Sequence, residues 1–104
     1  MLDYTKVKKK TLPIKLFDGT TLLLVMPKKK TYEKMAATKS LDVETLDEES
    51  INDIYELVAE ILSNNTRKAK YTSEQVGEMF DMDDVLMLLE EYMSFAGEVE
   101  NDPN

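Results

Sequence analysis

The stretch Ser50–Leu62, SINDIYELVAEIL, decides how the rest of the chain reads. Ile51, Ile54, Tyr55, Leu57, Val58, Ile61 and Leu62 recur at steps of three and four, which makes one broad apolar stripe on a helix. Asp47 or Ser50 can cap that helix, and the acids of its first turn suit the helix dipole. Asn64-Asn65 is expected to stop it, because Asn tolerates the left-handed conformation.

Upstream, Thr11–Met26 reads as a β-hairpin turning at Asp18-Gly19, a two-residue type I′ turn. Counting outward from that turn pairs Leu16 with Thr21, Ile14 with Leu23 and Leu12 with Val25. The expected core face is then Leu12, Ile14, Leu16, Leu23 and Val25, and the mixed opposite face is Lys15, Phe17, Leu22, Leu24 and Met26. Pro13 lacks an N–H and marks an edge strand. A two-stranded ribbon needs helices packed on it. Pro27 ends the second strand, and Lys28–Ser40 reads as a short basic helix with Tyr32, Met35 and Ala36 at helical spacing. Leu41–Leu46 reads as an acidic connector.

Downstream, Thr72-Ser73-Glu74-Gln75 is a capping box, with Tyr71 and Val76 placed for a hydrophobic staple. Asp81 with Asp84 opens the last helix, Met82–Ala96, which Gly97 is expected to end. Its core stripe is Met82, Val85, Leu86, Leu89, Tyr92, Met93 and Ala96, with Leu88 and Phe95 just outside one edge and Met87 further round. The fold class expected is α+β, an N-terminal β-hairpin packed against about four helices. Residues 1–10 form a basic flexible arm, 11–96 a single domain and 97–104 a frayed acidic tail. The expected core comprises Leu12, Ile14, Leu16, Leu23, Val25, Ile54, Tyr55, Val58, Ile61, Leu62, Val76, Val85, Leu86, Leu89 and Tyr92.

The chain of 104 residues has no Cys and no His, so disulfides, thiolate zinc sites and every imidazole-dependent triad are excluded. No apolar run is long enough for a bilayer, and no stretch after the N-terminal lysines resembles a signal peptide, so the default address is cytosol. Charge is divided. Met1–Lys39 carries ten Lys against Asp3, Asp18 and Glu33, a net of +7, whereas Ser40–Asn104 carries three basic against 18 acidic residues, a net of −15. Such asymmetry fits a basic arm for nucleic acid, a self-complementary dipolar molecule, or simply a solvated surface.

The candidate chemistry is sparse. Asp81, Asp83 and Asp84 lack the Gly and terminal Glu of a calcium loop, and helix capping accounts for them. Glu48-Glu49 and Glu90-Glu91 are neighbours that diverge by about 100° on a helix, so they cannot share a proton. No catalytic residues, cofactor site or metal site are expected. Lys8-Lys9-Lys10 and Lys28-Lys29-Lys30 lack Arg and interleaved aromatics, which argues against nucleic acid as a partner. The wide apolar arc of the last helix, rich in Met, is either core on two sides or a sticky surface for self-association or a partner helix. On the second reading, Met79, Met87, Leu88 and Phe95 are the partner-binding candidates.

The order of parts carries a resemblance. IKLFDGTTLLLVMP, LDEESINDIYELVAEIL and YTSEQVGEMFDMDDVLMLLEEYM follow one another as hairpin, amphipathic helix, and capped short helix leading into a terminal helix. In this the chain resembles, over about Ile14–Ala96, the small tail assembly chaperones of long-tailed, siphovirus-type phages of Gram-positive bacteria. The resemblance implies a non-enzymatic protein of the host cytoplasm, absent from the mature virion. It implies binding to the long helical tape-measure protein, a homo-oligomeric state, and the tail tube protein as a further partner. Two other readings stand beside it: a small acidic phage protein inhibiting a host nucleic-acid enzyme by charge mimicry, and a bacterial protein-interaction adaptor domain.

Overall fold

The hairpin forms, but one residue out of the expected register. In a computed structural model, which describes residues 1–6, 9–38 and 43–101, β1 (Thr11–Lys15) pairs antiparallel with β2 (Thr21–Val25). Four helices follow: α1 (Lys29–Thr38), α2 (Glu48–Ser63), α3 (Ser73–Met79) and α4 (Met82–Asn101), with a 3-10 turn at Val43–Thr45. This is the expected α+β arrangement. The rest of the connector start (Leu41, Asp42), the expected extension of α1 to Ser40, Val7 and Lys8 of the arm, and residues 102–104 lie outside the described residues.

Leu12 pairs with Leu24 and Ile14 with Leu22. The loop has three residues, Phe17-Asp18-Gly19: the Gly19 N–H donates to the Leu16 carbonyl (2.9 Å), and the Leu16 N–H donates to the Thr20 carbonyl (2.8 Å). Gly19 holds φ +91°, the position a three-residue loop reserves for glycine. The Asp18 carboxylate accepts from the Thr20 N–H (2.9 Å). One extra loop residue turns a whole strand over, because side chains alternate with period two. Leu22 and Leu24 are therefore buried at 1% and 0% exposure, while Leu23 faces out at 39% and Val25 is half-buried. That corrects the expected core face.

β2 gains a second neighbour beyond β1. Val25 N–H donates to the Asn64 carbonyl (3.0 Å) and Thr66 N–H to the Leu23 carbonyl (3.1 Å), with a bridge between Leu24 and Asn65. Leu23 and Val25 thus turn their backbone groups to Asn64–Thr66, and Leu22 and Leu24 turn theirs to β1. Pro13, opposite Leu23, falls at a non-bonded pair on the outer edge, where its missing N–H costs nothing.

α2 begins one turn earlier than its apolar stripe. Asp47 is the cap, accepting from the Ser50 N–H (2.8 Å), and that bond holds its carboxyl below the usual carboxylate value. The stop is made by side chains. Asn64 has φ −91°, and Lys68, φ 59°, is the non-glycine residue with positive φ among the described residues, so the expected left-handed Asn is corrected. Asn65, nearly buried, donates from Nδ2 to the carbonyls of Leu62 (2.7 Å) and Ala69 (2.9 Å). Its Oδ1 accepts from the N–H groups of Arg67 (3.0 Å) and Ala69 (3.1 Å). Asn64 Nδ2 reaches the Met26 carbonyl (3.2 Å) and the Tyr92 hydroxyl (3.4 Å), and the same hydroxyl donates to the Val25 carbonyl. This knot ties β2, the end of α2 and α4 together.

The expected capping box opens α3: Gln75 N–H donates to Thr72 Oγ1 (3.2 Å) and Thr72 N–H to Gln75 Oε1 (2.8 Å). α4 opens the same way, with Asp84 N–H on Asp81 (2.9 Å) and Asp81 N–H on Asp84 (3.0 Å). The helix continues through Gly97 to Asn101, so Gly97 is not its stop; its φ is not positive, and a helix tolerates an interior glycine at roughly 1 kcal/mol. The core collects Leu16, Leu22 and Leu24 from the hairpin, Met35 from α1, the α2 stripe, Val76, Phe80, and Val85, Leu88, Leu89 and Tyr92 from α4. Leu86 is only half-buried, as are Leu12, Ile14 and Tyr55. The Tyr92 hydroxyl fixes the rotation of α4, and Leu88 rather than Leu86 is turned inward.

Candidate docking groove

Among the described residues no group of three or more Asp or Glu is arranged to hold a metal ion. No helix among them is long and apolar enough to cross a membrane. What the fold leaves open is a shallow groove at the tip of the hairpin, where it meets the α3–α4 corner. Phe17, Tyr55, Gly77, Met79 and Phe80 line it, and Glu78, Asp81 and Asp84 stand beside them.

Each wall has a local cause. The three-residue loop carries Phe17 out at 70% exposure, and its ring meets Phe80 edge-on, centroids 5.6 Å apart. Phe80 has extended backbone in the short link between α3 and α4, its N–H closing α3 on the Val76 carbonyl (2.8 Å). The Tyr55 hydroxyl donates to the Phe80 carbonyl (3.1 Å) and fixes α2 to this corner. Burial, then the charges of Asp81 and Asp84, push the Tyr55 phenol up, so it remains a neutral donor. Gly77 lies open: a Cβ built there meets nothing within 4 Å.

A second concavity, about 380 Å³, lies between α1 and α2 and is lined by Lys34, Ala37, Thr38, Ser50, Asp53, Ile54, Glu56 and Leu57. Near it Glu60 accepts from Thr31 Oγ1 (2.8 Å) and from Lys34 Nζ (3.0 Å), a bond between α1 and α2. Burial pushes the Glu60 carboxyl up, but the bonds from Lys34 and Thr31 and the charges of Lys34 and Lys30 outweigh it. The carboxyl ends below its ordinary value. These groups are spent on holding the helices together.

The four partner-binding candidates part company. Met79 is half-buried and lines the tip groove. Met87 is exposed at 68%, one turn beyond Asp84 on the same side of α4. Leu88 is buried at 8% and belongs to the core, so it is corrected from contact surface to packing residue. Phe95 is half-buried, its ring 6.0 Å from that of Tyr92. The residues missed are Phe17, Tyr55, Gly77 and Phe80. The aromatic directly before Asp18-Gly19 was the available signal for Phe17, while the other three depend on packing. Compared with protein-family models, curated proteins and solved structures, the chain matches none.

Proposed function

We propose that this chain is a non-enzymatic tail assembly chaperone of a long-tailed phage, which holds the tape-measure protein soluble while tube subunits assemble around it. The tip groove and Met87 are its contact surface. The observation that carries a protein-binding role is the open apolar material at that groove: Phe17 at 70% exposure over Phe80, beside the thioether of Met79. Apolar side chains grouped in a groove and rimmed by charge suit a partner chain, and methionine adapts to many apolar sequences. An amphipathic helix laid along the groove would meet aromatic and thioether surface in the middle and carboxylates at the rim. The choice of client rests on the order of hairpin, acidic connector, amphipathic helix and capped terminal pair, which the resemblance shares.

The test is co-expression with a long, coiled-coil-rich tape-measure protein, followed by pull-down and a solubility assay. Wild-type chain should bring the client into the soluble fraction. Met87→Glu combined with Phe17→Ser should lose the client while the far-UV circular dichroism spectrum is unchanged. An insoluble client with wild-type chain, or full capture by the double variant, refutes the reading.

A further inference from the structure

The hairpin register brings two lysine runs to one place. Thr11 pairs with Val25 at the end of the ribbon away from the tip groove, so Lys9-Lys10 and Lys28-Lys29-Lys30 depart from the same end. Lys9, Lys28, Lys29 and Lys30 are exposed. The second run opens α1, which has no acid in its first turn; lysine there opposes the helix dipole, so stability of the helix is not its use. Ahead of the first run the chain presents Leu2 and Tyr4, exposed at 69% and 76%, and Lys6, exposed as well. A turn shapes this segment. Lys6 N–H donates to the Asp3 carbonyl (3.1 Å), and the Asp3 carboxylate accepts from the Thr5 N–H (3.0 Å) and the Thr5 hydroxyl (2.6 Å). Close to the second run, Glu33 stands 3.9 Å from Lys29.

We propose that this end of the molecule docks on an anionic lipid bilayer, with the lysines facing headgroup phosphates and Leu2 and Tyr4 entering the interface. A polybasic patch and a small apolar anchor each hold a membrane weakly, and together they hold it stably. Tyrosine suits the boundary between headgroups and acyl chains. Nucleic acid would call for Arg and stacked aromatics among the lysines; the two runs contain no Arg, and Leu2 has no use against a phosphate backbone. The acidic excess of the whole chain does not forbid the contact, because charge more than about 8 Å from the surface is largely screened at physiological salt. The inference uses neither the tip groove nor the client, and it is tested independently of both.

Co-sedimentation of the purified chain with vesicles tests it, using equal parts phosphatidylglycerol and phosphatidylcholine against phosphatidylcholine alone. The chain should bind the anionic vesicles and not the neutral ones, and binding should weaken as salt is raised. Lys9→Gln and Lys28→Gln should each lower the partition about fivefold. Lys15→Gln, the same loss of charge at the tip end of β1, should lower it less than about twofold. Leu2→Ser combined with Tyr4→Ser should lower it about tenfold. All these positions are exposed, and unchanged circular dichroism checks that the fold survives. No binding to the anionic vesicles, equal binding to the neutral ones, or a loss from Lys15→Gln as large as that from Lys9→Gln would each overturn it. So would an unchanged partition of the Leu2 and Tyr4 double variant, or tighter binding to duplex DNA at the same phosphate concentration.

Discussion

Leu22 and Leu23 stand side by side and differ in everything that matters to stability. Leu22 is at 1% exposure in the core and Leu23 at 39% on the outer face. Leu22→Ala should cost about 2–5 kcal/mol in urea unfolding, and Leu23→Ala less than about 1 kcal/mol. The opposite order would restore the two-residue turn. Neither residue's chemistry separates them in the sequence, since both belong to a run of three leucines. The difference comes from Gly19, which at φ +91° closes a three-residue loop and sets the register. Leu88 teaches the same point on α4: the apolar arc was legible, but which edge of it turned inward was not.

At the scale of elements, start signals were readable and one stop was read for the wrong reason. Capping boxes at Thr72 and Asp81 use contacts within four residues, so sequence alone specifies them. Asn64-Asn65 ends α2 as expected, but through side-chain bonds that include the Asn65 loop clamp and the Asn64 link to β2. Asn65→Asp should therefore destabilise more than Asn65→Ala, because it sets a carboxylate against the carbonyls of Leu62 and Ala69. The loss for alanine should be roughly 2 kcal/mol, from buried groups left without partners. Thermal midpoints of the two variants decide it, and equal midpoints would remove the clamp from the account.

The whole molecule is a thin, elongated body, 49 × 31 × 18 Å, with α2 packed against α1, α3, α4 and β2. The α1 contact is partly polar and runs through Glu60, whose folded-state value is depressed below 4.5. A depressed carboxyl contributes stability that is complete above the unfolded value and lost as pH falls through the folded one. Acid should therefore loosen α1 from α2 as pH drops below about 4.5, an effect softened by the partial exposure of the pair. Glu60→Gln should flatten the pH dependence of the unfolding midpoint in that range; an unchanged slope would assign acid sensitivity elsewhere.

The sequence by itself determined the α+β class, the element order, the amphipathic α2 and the paired caps of α3 and α4, because periodicity and capping act over a few residues. It also marked Met79 and Met87 as candidates for contact. The tertiary structure decided the register of the hairpin, the rotation of α4 and the joining of Phe17 to Phe80 and Tyr55. Those depend on one loop residue and on bonds between groups 25 to 67 positions apart, such as Tyr55 to Phe80 and Tyr92 to Val25. Local preference does not specify which partner a side chain finds across the fold; packing does.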